Sequence, residues 1–336
     1  MVDRSIYLFA ICKTETQLYM KTSVCLTLYN EESSINDLIK TLLNQTSKPD
    51  EIVIVDGGSS DKTVSVIRHW QKKDKRIKLL VQKCTRAEGR NLSVELAKNE
   101  VIAITDGDCI PDKNWLKRIT SPFIHQEIDM VAGFYKMLAN TPKEKAMSYF
   151  LAVTPKRFNE NFLPSTRSIA FRKTLWEKVG GFPEALDNSA EDTDFNYEVV
   201  KLGAGIARAK NAIVNWKIPT DLKTAIKKFY DYAKWDATKK IWWQPSHRFK
   251  SHNIKAVLKI FRYLLFTGLL VLTFKAPLIL LLPILLLILY SYWAYRKVYL
   301  EFEDWRVGVW GILIQYLSDF AVMGGFLKGI RNKNIR

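Results

Sequence analysis

The 336-residue sequence predicts an α/β fold: a mostly parallel sheet with flanking helices, followed by C-terminal transmembrane helices. Three observations carry that expectation. Apolar strand-type runs alternate with amphipathic stretches between residues 21 and 105, at the spacing of βαβ units. Acidic residues follow two of those runs, at Asp56 and at Asp106-Gly107-Asp108, where open α/β sheets bind their ligands. From residue 256 to 295 the composition turns to Leu, Ile, Val and Phe, as helices in a bilayer require.

The elements follow in order. Residues 1–20 stand apart as a leader. Its apolar stretch, 6–12, is too short to span a membrane and lacks a cleavage site, and Met20 offers an alternative start to Met1. A catalytic domain is expected over 21–240. Strands are predicted at 23–28, 51–55, 77–81 and 101–105, and helices at 33–44, 62–72 and 87–97. The second half is less regular, with strands at 129–134 and 168–171. Helices are expected at 175–179 and 192–201, the latter ending at Gly203. Residues 241–336 form the membrane-anchoring region.

Charge narrows the partners. A formal net charge of +17 calls for polyanions, and the basic residues crowd around the apolar region (Lys239, Lys240, Arg248, Lys250, Lys255). That favours a membrane face over nucleic acid, for which no binding motif is present. Cys12, Cys25, Cys84 and Cys109 lack metal-type spacing and fit a reducing compartment. Two carboxylates separated by one glycine at a strand end can share a hard divalent cation with a phosphate substrate. The later Glu191-Asp192-Thr193-Asp194 can supply a catalytic base. Each cluster has a plainer reading: a tight turn for Asp56-Gly57-Gly58-Ser59, a post-strand turn for Asp106-Gly107-Asp108, an acidic helix start for Glu191 to Asp194.

Taken in order, these segments resemble family 2 glycosyltransferases, which have the Rossmann-like GT-A fold of nucleotide-diphospho-sugar transferases. The segments are Cys25-Leu26-Thr27-Leu28-Tyr29-Asn30-Glu31-Glu32, Ile54 to Thr63 with its Asp-Gly-Gly-Ser-Ser-Asp loop, Gly89-Arg90-Asn91, Asp106-Gly107-Asp108, Arg167-Ser168-Ile169-Ala170-Phe171-Arg172 with Gly180-Gly181-Phe182-Pro183-Glu184, and Glu191-Asp192-Thr193-Asp194. The match spans residues 23–203. The resemblance implies that Asn30, Glu31, Asp56, Arg90 and Asp106 contact a nucleotide-sugar, UDP- or GDP-linked. It implies that Asp108, with Asp106, holds Mg²⁺ or Mn²⁺. Asp192 becomes the general base of an inverting transfer, with Glu191 in support. Arg167, Lys234 and Trp235 become acceptor or diphosphate contacts.

One element departs from the family's processive synthases. Their Gln-x-x-Arg-Trp motif is absent, and Tyr230 to Asp236 stands in its place, which favours transfer of a single sugar. Alternatives are a polyprenyl-phosphate glycosyl synthase and a non-catalytic membrane scaffold. A nucleotidyltransferase would carry a glycine-rich loop, and residues 23–32 contain no glycine. Helices are expected at 256–274 and 276–295 as a hairpin, with a third segment, 307–327, either spanning or interfacial. The basic flanks place the catalytic domain in the cytoplasm of a multi-pass inner-membrane protein, with Lys275 outside. The acceptor is then membrane-associated, lipid-linked or a surface glycan.

Overall fold

The computed structural model describes residues 20–184, 191–217, 219–240, 242 and 251–331; the leader and residues 185–190 lie outside them. The chain opens with β1 (Thr22–Leu28), α1 (Ile35–Leu43), β2 (Glu51–Asp56), α2 (Thr63–Lys73), β3 (Ile77–Val81), α3 (Arg86–Leu96) and β4 (Val101–Ile104). Each is an element the apolar pattern predicts. β2 and β4 are buried along their whole length, as strands covered on both faces must be. α1 buries Ile35, Leu38, Ile39 and Leu42, one stripe at helical spacing.

The second half runs β5 (Cys109–Pro111), α4 (Trp115–Thr120), β6 (Met130–Leu138), α5 (Pro142–Leu151), β7 (Ile169–Arg172), α6 (Lys173–Val179), α7 (Glu191–Lys201), β8 (Ile206–Lys217) and α8 (Leu222–Thr238). The sheet order is β3-β2-β1-β4-β7-β6-β8-β5. Strands β3, β2, β1 and β4 are parallel, whereas β7 runs against both β4 and β6. β6 and β8 pair in parallel, and β5 closes the edge against β8. The sheet is therefore mixed beyond β4. Sequence pattern misses β5, α4, α5 and β8: β5 is three residues long, and Arg208 and Lys210 interrupt the apolar signature of β8.

Three helices complete the described chain: α9 (His252–Leu272), α10 (Leu281–Phe302) after a single 3₁₀ turn, and α11 (Trp305–Arg331). The break between the first two covers eight residues instead of falling at Lys275 alone. Among the described residues two segments are long and apolar enough to cross a membrane, 277–302 and 305–331. α9 is the charged member of the trio, with Lys255, Lys259 and Arg262 in its first half. Beyond Arg262 the hairpin exposes Leu264, Leu265, Val271, Leu281, Leu285 and Ile288, an apolar surface that fits membrane association.

α11 packs against α8, α5, α9 and α10. Its approach to α8 depends on two glycines. A Cβ at Gly325 would lie 2.1 Å from the Tyr230 carbonyl oxygen, and one at Gly329 would lie 2.2 Å from that of Lys234. Small residues four apart let two helix backbones touch, so α11 is bound tightly to α8 and the α/β half. Asp319, fully buried on α11, accepts from Lys259 at 2.7 Å, Arg262 at 2.6 Å, Gln315 at 2.8 Å, Tyr263 at 3.2 Å and Tyr290. One carboxylate thereby ties α9, α10 and α11 together.

Candidate active site

The C-terminal ends of β1, β2 and β4 converge on one crevice. Asp56 ends β2 and is fully buried. Its carboxylate accepts from the backbone of Gly58 (3.0 Å) and Ser59 (2.8 Å) and from the Ser59 hydroxyl (2.6 Å). It therefore builds its own loop. Asn30, just past β1, adopts a left-handed conformation at φ 55°. Its Oδ1 accepts from the Ser60 backbone at 2.9 Å, binding the two loops together. Glu31 accepts the Ser34 hydroxyl at 2.6 Å. Burial raises its carboxyl above the ordinary range, and the charges of Asp108 and Asp106 add to the effect.

α3 delivers the central cation. Its start is fixed by a capping box, in which Thr85 and Glu88 exchange side-chain and backbone hydrogen bonds. At Gly89 a Cβ would stand 2.4 Å from Thr27 Cγ2, so glycine lets the helix settle onto β1. The next residue, Arg90, is thereby buried at the heart of the crevice. Its guanidinium donates to Asp106 at 2.9 Å, Thr166 at 2.8 Å and Glu191, which reaches it from 101 positions along the chain. Burial, the largest single influence, opposes ionisation of Asp106 and Glu191, but Arg90 and Arg86 together, joined by Arg167 at Asp106, outweigh it and hold both carboxyls below their usual range.

Asp192, beside Glu191, has the opposite environment. Burial and then the Glu191 charge raise its carboxyl above the aspartate range. Among the described residues its side-chain hydrogen-bond donor is Thr193, at 3.5 Å. Neighbouring carboxylates pushed in opposite directions are the pattern from which acid–base roles are assigned. Asp194 is turned to Lys239, at 3.4 Å.

Asp108 accepts the Trp216 indole N–H at 2.8 Å through one carboxylate oxygen, while the other faces the Cys109 thiol at 3.7 Å. Among the described residues no three carboxylate, His or Cys side chains form an all-protein metal cage. Mg²⁺ and Mn²⁺ are commonly held by one or two carboxylates together with substrate phosphates. Asp106 and Asp108, both already anchored by a donor, fit that mode.

A cleft of about 610 Å³ gathers these groups. Arg90, Asp106, Arg167, Glu191, Asp192 and Trp235 of the predicted site line it. Asn30, Glu31, Asp56 and Asp108 belong to the adjoining strand ends. Lys234 is set apart: its backbone faces Gly325 and Gly329 of α11, and its ammonium lies over Trp235 at 4.8 Å. The cleft runs on past Tyr149, Phe150 and Arg157 to Asp236, His252 and Lys255, at the foot of the apolar hairpin. Sequence reading misses Arg86, Thr166 and Trp216. Arg86, one helical turn before Arg90 and 3.9 Å from Glu191, had a signal in that spacing; the other two had none.

Residues 23–179 match the sequence profile of glycosyl transferase family 2. Over those residues, just under half of its length, the chain is similar to that family. Curated relatives include the glycosyltransferase AglE of Haloferax volcanii, 26% identical over 171 residues (49% of this chain, 56% of the relative). The glycosyltransferase GlyG of Streptococcus pneumoniae is 30% identical over 115 residues (34% and 38%). The chain thus spans 38% to 56% of these relatives' lengths. Among solved structures, a mannosyltransferase of Pyrobaculum calidifontis in complex with GDP-Man and Mn²⁺ superposes with a TM-score of 0.66. It covers 95% of this chain and 89% of its own, at 16% identity. Residues 1–349 of TarS from S. aureus, in complex with UDP-GlcNAc, give 0.51 at 22% identity, over 66% and 67%. The GT-A fold is thereby shown, and the first of these likenesses covers nearly the whole of this chain.

Proposed function

We propose that this protein is an inverting glycosyltransferase that moves a sugar from a UDP- or GDP-linked donor to an acceptor presented at a membrane. The observation that carries this reading is the single cleft that joins Arg90, Asp106 and Asp192 to the foot of the apolar hairpin. Asp192 is the general base: its raised carboxyl is a better proton acceptor than an ordinary aspartate, and it takes the proton of the attacking acceptor hydroxyl. Arg90 holds Glu191 and Asp106 in place and fixes the wall against which Asp192 stands. A divalent cation at Asp108 and Asp106 would neutralise charge developing on the diphosphate leaving group.

The membrane arrangement belongs to the same proposal. The α9–α10 hairpin enters the bilayer, while α11, held to α8 through Gly325 and Gly329, lies against the catalytic domain at the interface. That keeps the basic C-terminal end on the cytoplasmic side together with the catalytic domain, in accord with the positive-inside rule. A second reading has its own support. Arg157, His252 and Lys255 line the membrane end of the cleft, and a polyprenyl phosphate acceptor would suit them.

Turnover of UDP- and GDP-sugars in detergent, with Mg²⁺ or Mn²⁺ and a lipid-linked or alkyl acceptor, tests both readings. Asp192→Asn should lower transfer to a hydroxyl acceptor about 100- to 10,000-fold, the usual worth of a general base. For wild type, kcat/KM should fall as pH drops through the raised Asp192 value, because the protonated carboxyl cannot accept a proton. That limb lies at higher pH than an unperturbed aspartate would give. A variant that keeps its rate with a phosphate acceptor selects the second reading. Failure to use any donor removes the enzyme assignment.

A further inference from the structure

Arg90 and Asn91 are consecutive on α3, and each grips one end of the connection from α6 to α7. Arg90 takes Glu191, the first residue of α7. Asn91, also buried, takes the turn that leaves α6. Its amide nitrogen donates to the Phe182 carbonyl and to the Glu184 carboxylate, both at 2.8 Å. Its oxygen accepts from the Phe182 backbone N–H at 2.8 Å and from the Trp176 indole N–H at 3.2 Å. A buried carboxamide that uses both donors and both lone pairs holds its partners in one geometry. The turn is shaped to receive it. Gly181 has φ 80°, and a Cβ there would stand 2.8 Å from the Asn91 oxygen.

The contact continues to the base. The buried Phe182 ring stacks on Phe195 of α7, with centroids 4.5 Å apart and planes at 28°. Phe195 follows Asp192 by three positions, so the two are neighbours on the surface of one helix. Among the described residues the Asp192 carboxylate has only the Thr193 hydroxyl as a hydrogen-bond partner, so the backbone of α7 has to place it. Neither Asn91 nor Phe182 lines the cleft.

We propose that Asn91 is a positioning residue of the transfer reaction. Through the Phe182 turn and the Phe182–Phe195 stack it sets α7, and so aims Asp192 at the acceptor hydroxyl. The role rests on Asp192 being the base and deepens that reading. Asparagine suits the position because aspartate would lack the donor for the Phe182 carbonyl and would set a second carboxylate against Glu184. Glutamine would be one methylene too long.

The test is steady-state transfer to a hydroxyl acceptor by the full-length protein in detergent, with equilibrium binding of UDP and GDP measured alongside. Asn91→Asp should lower kcat about 10- to 100-fold, the cost of misplacing a reacting group by about 1 Å. The donor KM and the affinity for UDP or GDP should stay at the wild-type level, which separates a misplaced base from a damaged fold. Adding Glu184→Gln to Asn91→Asp replaces the repelling carboxylate by an amide that can donate, and part of the rate should return. Phe195→Leu keeps an apolar side chain and loses the stack, and should lower kcat in the same way by a smaller factor. In an Asp192→Asn background neither Asn91→Asp nor Phe195→Leu should cost anything further, because residues that act as a unit are not additive.

A loss of kcat that vanishes in the Asp192→Asn background supports the role, and Phe195→Leu decides by the same comparison if Asn91→Asp does not fold. An equal loss in both backgrounds overturns the role and leaves Asp192 as the base. Wild-type kcat in both Asn91→Asp and Phe195→Leu does the same. Asp192→Asn at the wild-type rate overturns the base and the role together.

Discussion

Arg90 and Asp319 are mirror images, each a buried charge ringed by opposite charges and hydroxyl groups, yet one network is open and the other closed. Around Asp319 both carboxylate oxygens are fully used, by Lys259 and Gln315 on one and by Arg262, Tyr263 and Tyr290 on the other. Around Arg90 the central cation is satisfied, but the rim is not. Asp192 has only the weak Thr193 contact, and the Nε of Arg167 has none among the described residues. A network that satisfies itself holds helices together, whereas one that leaves groups wanting at its edge is built for a ligand.

Removing the two centres should therefore give different failures. The largest effect is expected for Arg90→Met, which leaves Glu191 and Asp106 buried without their cation. Breaking a buried pair in this way costs about 3–5 kcal/mol, and donor turnover should be lost with it. Thermal unfolding together with a turnover assay reads both. Turnover retained at the wild-type rate would sink the central role given to Arg90.

Asp319→Asn should destabilise by about 2 kcal/mol, the worth of hydrogen bonds to a charged group. Lys259 and Arg262, partly exposed, turn outward. Nucleotide binding per folded molecule should stay at the wild-type level. A binding defect larger than the stability defect would show that the closed network reaches into the site after all. Gly325→Ala should have the smallest effect on ligand binding, while costing about 3 kcal/mol of stability, the upper end of overpacking, because the α8 backbone must give way. A lowered melting temperature with unchanged UDP or GDP affinity is the expected result.

The two regions also differ in how far they can be read from sequence. β1, β2 and β4 are legible because their apolar runs are buried on both faces, and α1 because it buries one apolar stripe at helical spacing. The residue types of the site are legible for a similar reason: Asp56, Asp106 and Asp108 each follow an apolar run. Their partnerships are not. Arg90 meets Glu191 across 101 positions and Trp216 meets Asp108 across 108, distances over which no linear pattern operates. Asp56 illustrates a further limit. An aspartate at a strand end reads as a ligand contact, and no linear pattern shows that its carboxylate also shapes its own loop by accepting from Gly58 and Ser59. In the helical region Asp319 looks anomalous in an apolar segment until folding brings Lys259 and Arg262 beside it.

The position of the Asp319 pin also sets a length. Beyond Arg262, α9 runs for ten more residues before it ends at Leu272, about 15 Å at the helical rise. α10 covers a similar span between Leu281 and Tyr290. A hydrocarbon core is about 30 Å thick, roughly twice that reach. In the membrane arrangement proposed above, a bilayer with the charged pin at its surface would meet a hairpin of about half its thickness. It would thin around the hairpin or accommodate the Lys275 ammonium near its centre, and lipids of shorter chain would ease either demand.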